Sequence, residues 1–388
     1  MSDDTRADED TTIVARPAQL VQSYGPGTIN LLEPADSRPK ALQRKNRLTW
    51  KAWKLVIART VFDFSPLALM DRGAAMTYFT ITAFAPTLLA AYSLVTLLFP
   101  TDEGELRDVV GVFINQVIPP ELREQAFDLF LNVVGSPTRS TVAIVISIII
   151  SLLSASAYVR AFSRSSNVIY GRTEGRSLPV TWLTMWGITL LMVVGGVILI
   201  AALVLRESVV EAILGPLAGP LGLTSVLNYL TRILLPVWEW SRYPVAALAA
   251  VALVSCLYYF APNVRPGRFR VLTIGSALAL LVTLGLWLLF DLYVSTIGVR
   301  SAYGAFGAVL AVLGVIWLMN IALLLGVKVD AEILRAKQLQ VGWDSEEVVQ
   351  AAPRSQDAVL FQHKIRGFLH RLAEDVKQEA RTTRDMKG

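Results

Sequence analysis

The sequence is poor in cysteine, in histidine and in charge. Cys256 is the only cysteine among 388 residues, and the two histidines, His363 and His370, lie near the C-terminal end. A disulfide scaffold and a multi-cysteine metal site are therefore excluded. Charged residues make up 17% of the chain and hydrophobic residues 54%, whereas soluble domains have about 25% and about 45–50%. This composition excludes a disordered chain and argues against a soluble enzyme.

Six apolar stretches account for the hydrophobic excess, and the mean hydropathy of +0.50 agrees with them. Each is long enough, or nearly so, to cross about 30 Å of hydrocarbon as a helix that rises about 1.5 Å per residue. They lie at 74–99, 141–159, 180–205, 244–261, 271–296 and 305–327. Lipid offers no partner to an unpaired backbone group, which favours helices. The sequence predicts an all-α polytopic membrane protein with six transmembrane helices.

The positive charges predict the orientation of these helices. Lys and Arg are concentrated before the first span, in the second and fourth connections, and after the last span. The connections 100–140 and 206–243 carry at least as many acids as basic residues. Cytoplasmic connections are enriched in Lys and Arg, so both termini are expected to be cytoplasmic. The net charge of +5 therefore reflects, in the first place, the orientation of the helices in the membrane.

The long outer connections are expected to contain short amphipathic helices over 106–118, 121–134 and 221–238. A seventh span over 221–238 would place Arg232 deep in the hydrocarbon, at a cost of at least about 2.5 kcal/mol. We therefore interpret 221–238 as an interfacial helix after the Gly-Pro breaks. The predicted organisation is a disordered N-terminal tail (1–39), a basic amphipathic interfacial segment (40–73), a six-span domain (74–337) and a polar, partly helical cytoplasmic tail (338–388).

Residues near the ends of the spans resemble one known family. The matching pieces are Ala74 to Phe79, Phe84-Ala85-Pro86, Ser154-Ala155, Asn167, Tyr170-Gly171, Arg176, Tyr258 to Asn263, Phe290, Tyr293-Val294-Ser295, Tyr303-Gly304 and Gly326 to Glu332. In this order and spacing, over about residues 50–335, they resemble the YihY/BrkB family of bacterial inner-membrane proteins, once labelled ribonuclease BN. The resemblance implies an inner-membrane location, six helices and cytoplasmic ends. Two positions depart from it: Lys328 stands where the family often has an acid, and Asp291 where it is usually uncharged.

Four hydroxyl groups share one face of the predicted second span. Ser147, Ser151, Ser154 and Tyr158 recur at i, i+4, i+7 and i+11, which is helical spacing. Small polar residues commonly pack membrane helices against each other and bond across them. The same stripe could line a cavity that leads a substrate through the membrane. Both interpretations remain open on the sequence alone.

Arginines dominate the predicted cytoplasmic side. They include Arg160 and Arg164 at the end of the second span, Arg172 and Arg176 just beyond, and Arg265, Arg268 and Arg270 before the fifth span. The simplest interpretation is orientation plus attraction to anionic lipid headgroups, worth about 1 kcal/mol per residue. The alternative is a cationic vestibule, because the planar guanidinium fits phosphate and carboxylate groups. Arg160, Arg164 and Arg176 are its candidate residues.

Two further residues are candidates for a substrate path. Asp291 is the single ionisable residue inside a predicted span, which marks it as a functional candidate. It lies near the outer end, so pairing with Arg300 at the interface is the alternative. Pro86 removes a backbone hydrogen bond in the middle of the first span and is expected to kink it. Such a kink is either only a matter of shape or part of a transport site.

No motif for enzymatic chemistry is present. The sequence contains no G-x-x-x-x-G-K-[ST] loop, no H-E-x-x-H and no C-x-x-C. We expect no enzymatic activity, no cofactor, no metal site and no nucleic-acid partner. The favoured function is a secondary transporter or a lipid- or anion-handling permease whose partners are membrane lipids with anionic headgroups. The alternative is a membrane scaffold that does not transport.

Overall fold

The computed structural model describes most of the membrane-embedded part of the chain. The described residues are 21–23, 29–31, 47–98, 111, 114, 123–124, 127–128, 141–204, 210, 224–265, 269–297 and 304–385. Most of the predicted outer helices over 106–118 and 121–134 lies outside these residues. So does most of the N-terminal tail predicted to be disordered. Within that tail, the strands β1 (Val21–Ser23) and β2 (Ile29–Leu31) pair antiparallel.

All other regular elements in the described residues are helices. They are α1 (Trp50–Phe62), α2 (Leu69–Leu98), α3 (Thr141–Ile169), α4 (Leu178–Val204), α5 (Thr224–Tyr229), a π-helical turn (Leu230–Leu234), α6 (Leu235–Phe260), α7 (Ile274–Ile297), α8 (Gly304–Gln340) and α9 (Asp357–Asp385). Each of the six predicted spans falls largely within a helix. Four segments among the described residues are long and apolar enough to cross a membrane: Leu178–Leu199, Thr231–Phe260, Ile274–Thr296 and Val309–Gln340. The chain is therefore a multi-pass membrane protein.

The described part of the segment predicted as a separate interfacial helix, residues 224–238, is continuous with α6. Residues 224–260 are helical without a break, because α5 continues through the π-helical turn into α6. Pro236 stands in the first turn of α6 and Pro244 lies inside it. Proline has no N–H to donate, so the helix adjusts its hydrogen bonds locally and continues. The expectation of an independent helix over 221–238 was wrong. Within residues 224–260 the helix contains no turn at which the chain could reverse direction.

α8 is the longest of the described helices and extends well beyond the predicted span 305–327. Its 37 residues cover about 55 Å at the usual rise, which exceeds the hydrocarbon thickness of about 30 Å. Gly342, two residues after its end, has a φ of 83° that suits glycine. The N–H of Trp343 donates to the carbonyl of Gln338, and the N–H of Gly342 to that of Leu339. These bonds form a Schellman cap, and α3 ends in the same way at Gly171.

The apolar core lies where α2, α3, α4, α6 and α8 meet. It contains Met76 from α2, Phe162 from α3, Met185 from α4, Leu257 from α6 and Leu324 from α8. These side chains are at most 4% exposed. A second cluster joins α1 to the end of α8 through small and β-branched residues. The part of the core that the structure describes lies toward the end of the bundle where α1 and the connections after α3 and α6 also gather.

The chain after α8 returns across this end of the bundle. We call residues 341–356 the strap. The N–H of Arg354 in the strap donates to the carbonyl of Asn263, and the N–H of Arg265 donates to the carbonyl of Ala352 in the strap. Val349 and Ala351 pack with Val264. Part of the region predicted as a polar tail is thus buried against the connection between α6 and α7. α9 follows the strap.

Candidate functional site

A chain of hydrogen bonds joins three helices in the apolar interior. The hydroxyl of Tyr158 on α3 donates to Asn320 Oδ1 on α8 at 3.0 Å. The Asn320 amide nitrogen donates to Thr77 Oγ1 on α2 at 3.0 Å, and that hydroxyl donates to the carbonyl of Gly73. Asn320 therefore bonds to two neighbouring helices at once. Tyr158, a candidate for a substrate path, takes part in helix packing through this bond.

Arg160 and Arg164 lie one turn apart on α3 and point to the same side of the helix. Arg160 is half-buried, and its Nη1 donates to Ser156 Oγ at 2.5 Å. Its guanidinium lies 4.9 Å from the centre of the Trp182 ring on α4, a cation–π contact. Arg164 is exposed. Neither guanidinium forms an ion pair with any residue that the structure describes. The two positive charges are therefore available to an anion at this surface.

Arg176 has a different environment from the other two candidate arginines. It is 4% exposed, its Nε forms an ion pair of 2.8 Å with Glu174, and its Nη2 donates to the carbonyl of Ala261 at 2.6 Å. Arg172 is also buried and donates to the carbonyl of Ala351 in the strap. Burial lowers the pKa of Arg172 to about 9. Both side chains tie connections together, and the structure does not bring them beside Arg160 and Arg164 in any described contact.

Asn263 is the centre of a polar joint between three connecting segments. Its N–H donates to Asn167 Oδ1 at 2.7 Å, and its amide nitrogen donates to the carbonyls of Thr173 and Ser355. The N–H of Ser355 donates back to Asn263 Oδ1. A Cβ on Gly175 would lie 2.0 Å from the Ser355 carbonyl oxygen, so only glycine fits there. The joint holds the strap against the ends of α3 and α6.

A network of buried ions lies on the last turns of α8. Lys328 is 2% exposed; its Nζ donates to Asp63 Oδ2 at 2.7 Å and to Glu332 Oε1 at 2.5 Å. The other Glu332 oxygen lies 2.9 Å from Arg335 Nε, and the Glu332 side chain is fully buried. Arg335 Nη1 donates to the carbonyls of Ser345 and Glu346. We call Asp63, Lys328, Glu332 and Arg335 the ion network. It connects α8 to the turn between α1 and α2 and to the strap.

Asp330 caps the start of α7 from the neighbouring helix. Its Oδ1 accepts from the N–H of Gly275 at 2.9 Å, and its Oδ2 accepts from the Thr273 hydroxyl at 2.5 Å. A carboxylate at the first turn of a helix is favourable because free N–H groups point toward it. A Cβ on Gly275 would lie 2.0 Å from the carbonyl oxygen of Gly326. α7 and α8 therefore approach each other closely at two glycines, and Asp330 fixes their register.

The described residues do not test whether the remaining predicted path residues converge. Ser147 and Ser151 lie on α3 and Pro86 on α2, but their side chains fall outside the described part of the chain. Ser154 is half-buried on α3. Asp291 is exposed on α7, and its expected partner Arg300 is outside the described residues. The convergence of hydroxyl stripe, kink and arginines on one cavity thus stays a prediction.

Sequence reasoning missed the ion network and the polar joint. Lys328, Glu332 and Arg335 follow each other at i, i+4 and i+7, a spacing that places them on one helix face. That spacing could have extended the predicted helix past residue 327. The partners of Asn263 lie far away in the chain, and no local pattern signals them. Within the described residues no three His, Cys, Asp or Glu side chains gather as a group that could hold a metal ion.

Comparisons with known proteins match most of the region just described. The family model described as "Virulence factor BrkB" matches residues 63–348. The ribonuclease-like protein YfkH of Bacillus subtilis (strain 168) is 30% identical over 279 residues, which cover 69% of this chain and 91% of that protein. No solved structure matches the chain. The matched residues include the ion network, the polar joint up to Asn263, and the Arg160–Arg164 pair; α9 lies beyond them.

Proposed function

Since the chain belongs to the family described as virulence factor BrkB, we propose that it is a secondary permease of the bacterial inner membrane for an anionic lipid or solute. The family resemblance seen in the sequence is confirmed by the family match, and the apolar helices make the chain a multi-pass membrane protein. Transport, the inner membrane and the absence of an ATPase of its own are our proposal. Nuclease activity is no part of it, and the ribonuclease-like name is that of the Bacillus relative.

The observation that carries the proposal is the Arg160–Arg164 pair. Two guanidinium groups lie one turn apart without a carboxylate partner among the described residues, at the end of an apolar helix. A guanidinium binds phosphate or carboxylate through two parallel N–H bonds. The contact of Arg160 with Ser156 and with the Trp182 ring holds one of the two groups in a defined position. A pair held in this way is suited to select an anion at the membrane boundary.

The six-span topology is part of the same proposal. It is supported by six helices that coincide with the apolar stretches and by the distribution of Lys and Arg. Both termini, the strap and the connections after α3 and α6 would then be cytoplasmic. The test uses single cysteines in a Cys256→Ser background and an impermeant thiol reagent. Cysteines within 100–140 and 206–223 should react from the periplasmic side. Reaction of Arg268→Cys from that side would overturn the six-span topology.

Substitution of both arginines by lysine tests the anion-binding role. Arg160→Lys with Arg164→Lys keeps the charge and therefore the orientation, but loses the two-bond geometry. Loss of one hydrogen bond to a charged group costs roughly 1.5–3 kcal/mol, so we expect transport to fall by about tenfold or more. The matched control is Arg265→Lys with Arg270→Lys, which changes two exposed arginines of the connection after α6 and should leave transport unchanged.

The assay uses purified protein in vesicles and two probes. One measures movement of fluorescent phosphatidylglycerol between leaflets, and the other measures efflux of radiolabelled inorganic phosphate. A loss confined to one probe identifies lipid or solute as the substrate. Ser151→Ala with Ser154→Ala should also lower the rate, and the two pairs should be non-additive if they line one path. Wild-type rates for the lysine pair, or no protein-dependent movement of either probe, would contradict the proposal.

A further inference from the structure

α9 has an apolar face that nothing in the described part of the chain covers. The large apolar side chains recur at i, i+4, i+7, i+8, i+11 and i+15, so they occupy one side of the helix. Their exposed fractions run from 42% to 67%, for Phe361, Ile365, Phe368, Leu369, Leu372 and Val376. A helix of 29 residues with such an uncovered face is unusual in a protein surrounded only by water.

The charges beside the first part of this face, over residues 360–373, are positive. Lys364 and Arg371 lie on one flank of the apolar stripe and Arg366 on the other, as the angle of about 100° per residue places them. Residues 360–373, between Asp357 and Glu374, contain no acid, and His370 contacts the Glu374 carboxylate at 3.2 Å. Long basic side chains on both flanks allow the charged groups to reach headgroups while the apolar face enters the acyl boundary.

The first turn of α9 is fixed beside the membrane boundary. The N–H of Ala358 donates to the carbonyl of Gly175 at 2.9 Å, in the connection between α3 and α4. The Ser355 hydroxyl donates to the same carbonyl, and Ser355 is held by Asn263. Arg354 donates to the carbonyls of Tyr259 and Val264 at the end of α6. α9 thus starts at the ends of two membrane-embedded helices and has lipid within reach.

We propose that α9 lies flat on the membrane surface on the side of the strap and binds anionic lipid headgroups there. Its apolar face enters the headgroup–acyl boundary, and its basic flanks pair with phosphates. The occupant is the lipid surface, because the helix is tethered to it and its residues 360–373 carry no acid. The proposal is independent of transport, since α9 lies beyond the residues that the family model matches.

The depth of two labelled cysteines in vesicles tests the proposal. The full chain, with Cys256→Ser, carries either Leu369→Cys on the apolar face or Gly367→Cys on the opposite side, where nothing lies within 4 Å of an added Cβ. Vesicles contain equal amounts of phosphatidylglycerol and phosphatidylcholine, and each cysteine bears a fluorophore. A quencher attached to the lipid chains should quench the label at residue 369 severalfold more than the label at 367. A soluble quencher should show the reverse order.

Charge variants separate lipid binding from other uses of the same face. Removing two charges by Arg366→Gln with Arg371→Gln should lower the ratio of bound to free helix by roughly fivefold per charge. Arg366→Lys with Arg371→Lys keeps the charges and should keep the binding. Equal quenching of both labels by the soluble quencher would overturn the proposal. So would energy transfer between Leu369→Cys labels on two copies of the chain, because it would mean that the face pairs with itself.

Discussion

Glu332 is expected to contribute more to stability than any other member of the ion network. Its carboxylate faces two cations, Lys328 Nζ at 2.5 Å and Arg335 Nε at 2.9 Å, and its side chain has no exposure to solvent. Glu332→Gln removes the only carboxylate that Arg335 contacts among the described ion pairs. Removing one partner of a buried ion pair costs about 3–5 kcal/mol, because the other charge stays buried without compensation. We expect a loss of that size in the free energy of unfolding.

Asp63→Asn is the matched control. Asp63 contacts the same Lys328, at 2.7 Å, but its side chain is 33% exposed. Water can therefore replace part of the lost interaction, and pairs open to solvent contribute about 0–1 kcal/mol. Lys328→Met combined with Glu332→Gln should cost less than the sum of the two single changes, because the double variant leaves neither of these charges unpaired. Arg335 then retains its bonds to the carbonyls of Ser345 and Glu346.

The free energies come from equilibrium unfolding of purified protein. Detergent micelles are titrated with sodium dodecyl sulfate, and unfolding is followed by tryptophan fluorescence. Equal slopes for all variants would show that the native and unfolded states are comparable. The reasoning is refuted if Asp63→Asn costs as much as Glu332→Gln, or if Glu332→Gln costs less than about 1 kcal/mol. Either result would mean that burial does not set the strength of these ion pairs.

Two further changes test the packing of α8. A Cβ on Gly326 would lie 2.4 Å from the carbonyl oxygen of Gly275, whereas nothing lies within 4 Å of a Cβ on Gly314. In the same titration, Gly326→Ala should therefore lower the free energy of unfolding by about 1–3 kcal/mol. Gly314→Ala should leave it unchanged. Equal midpoints for the two would show that α7 and α8 separate without penalty. Asn320→Leu breaks both interhelical bonds and should cost about 1–2 kcal/mol, more than Tyr158→Phe, which breaks one; the reverse order would assign the polar chain another role.

The candidate site was only partly predictable, and single positions show why. The arginines at residues 160 and 164 were found because local charge beside an apolar run is visible in the sequence. Arg176 belonged to the same pattern, yet the structure buries it against Glu174 and the carbonyl of Ala261. Its partner at residue 261 lies 85 positions along the chain. Whether the guanidinium of an arginine can bind an anion, or already donates to a carbonyl of the protein, depends on such distant contacts. Local spacing in the sequence does not reveal them.

The sequence by itself determined the class of the protein and the positions of its apolar helices. The reason is that hydrocarbon length and the absence of water constrain each span locally, residue by residue. Only the tertiary structure decided how far the helices extend and what their polar residues do. α8 continues past residue 327 because Lys328 and Glu332 neutralise each other against Asp63, which lies 265 positions earlier. Likewise, the α5–α6 rod stays continuous through its prolines because an adjusted helix still satisfies most of its backbone hydrogen bonds.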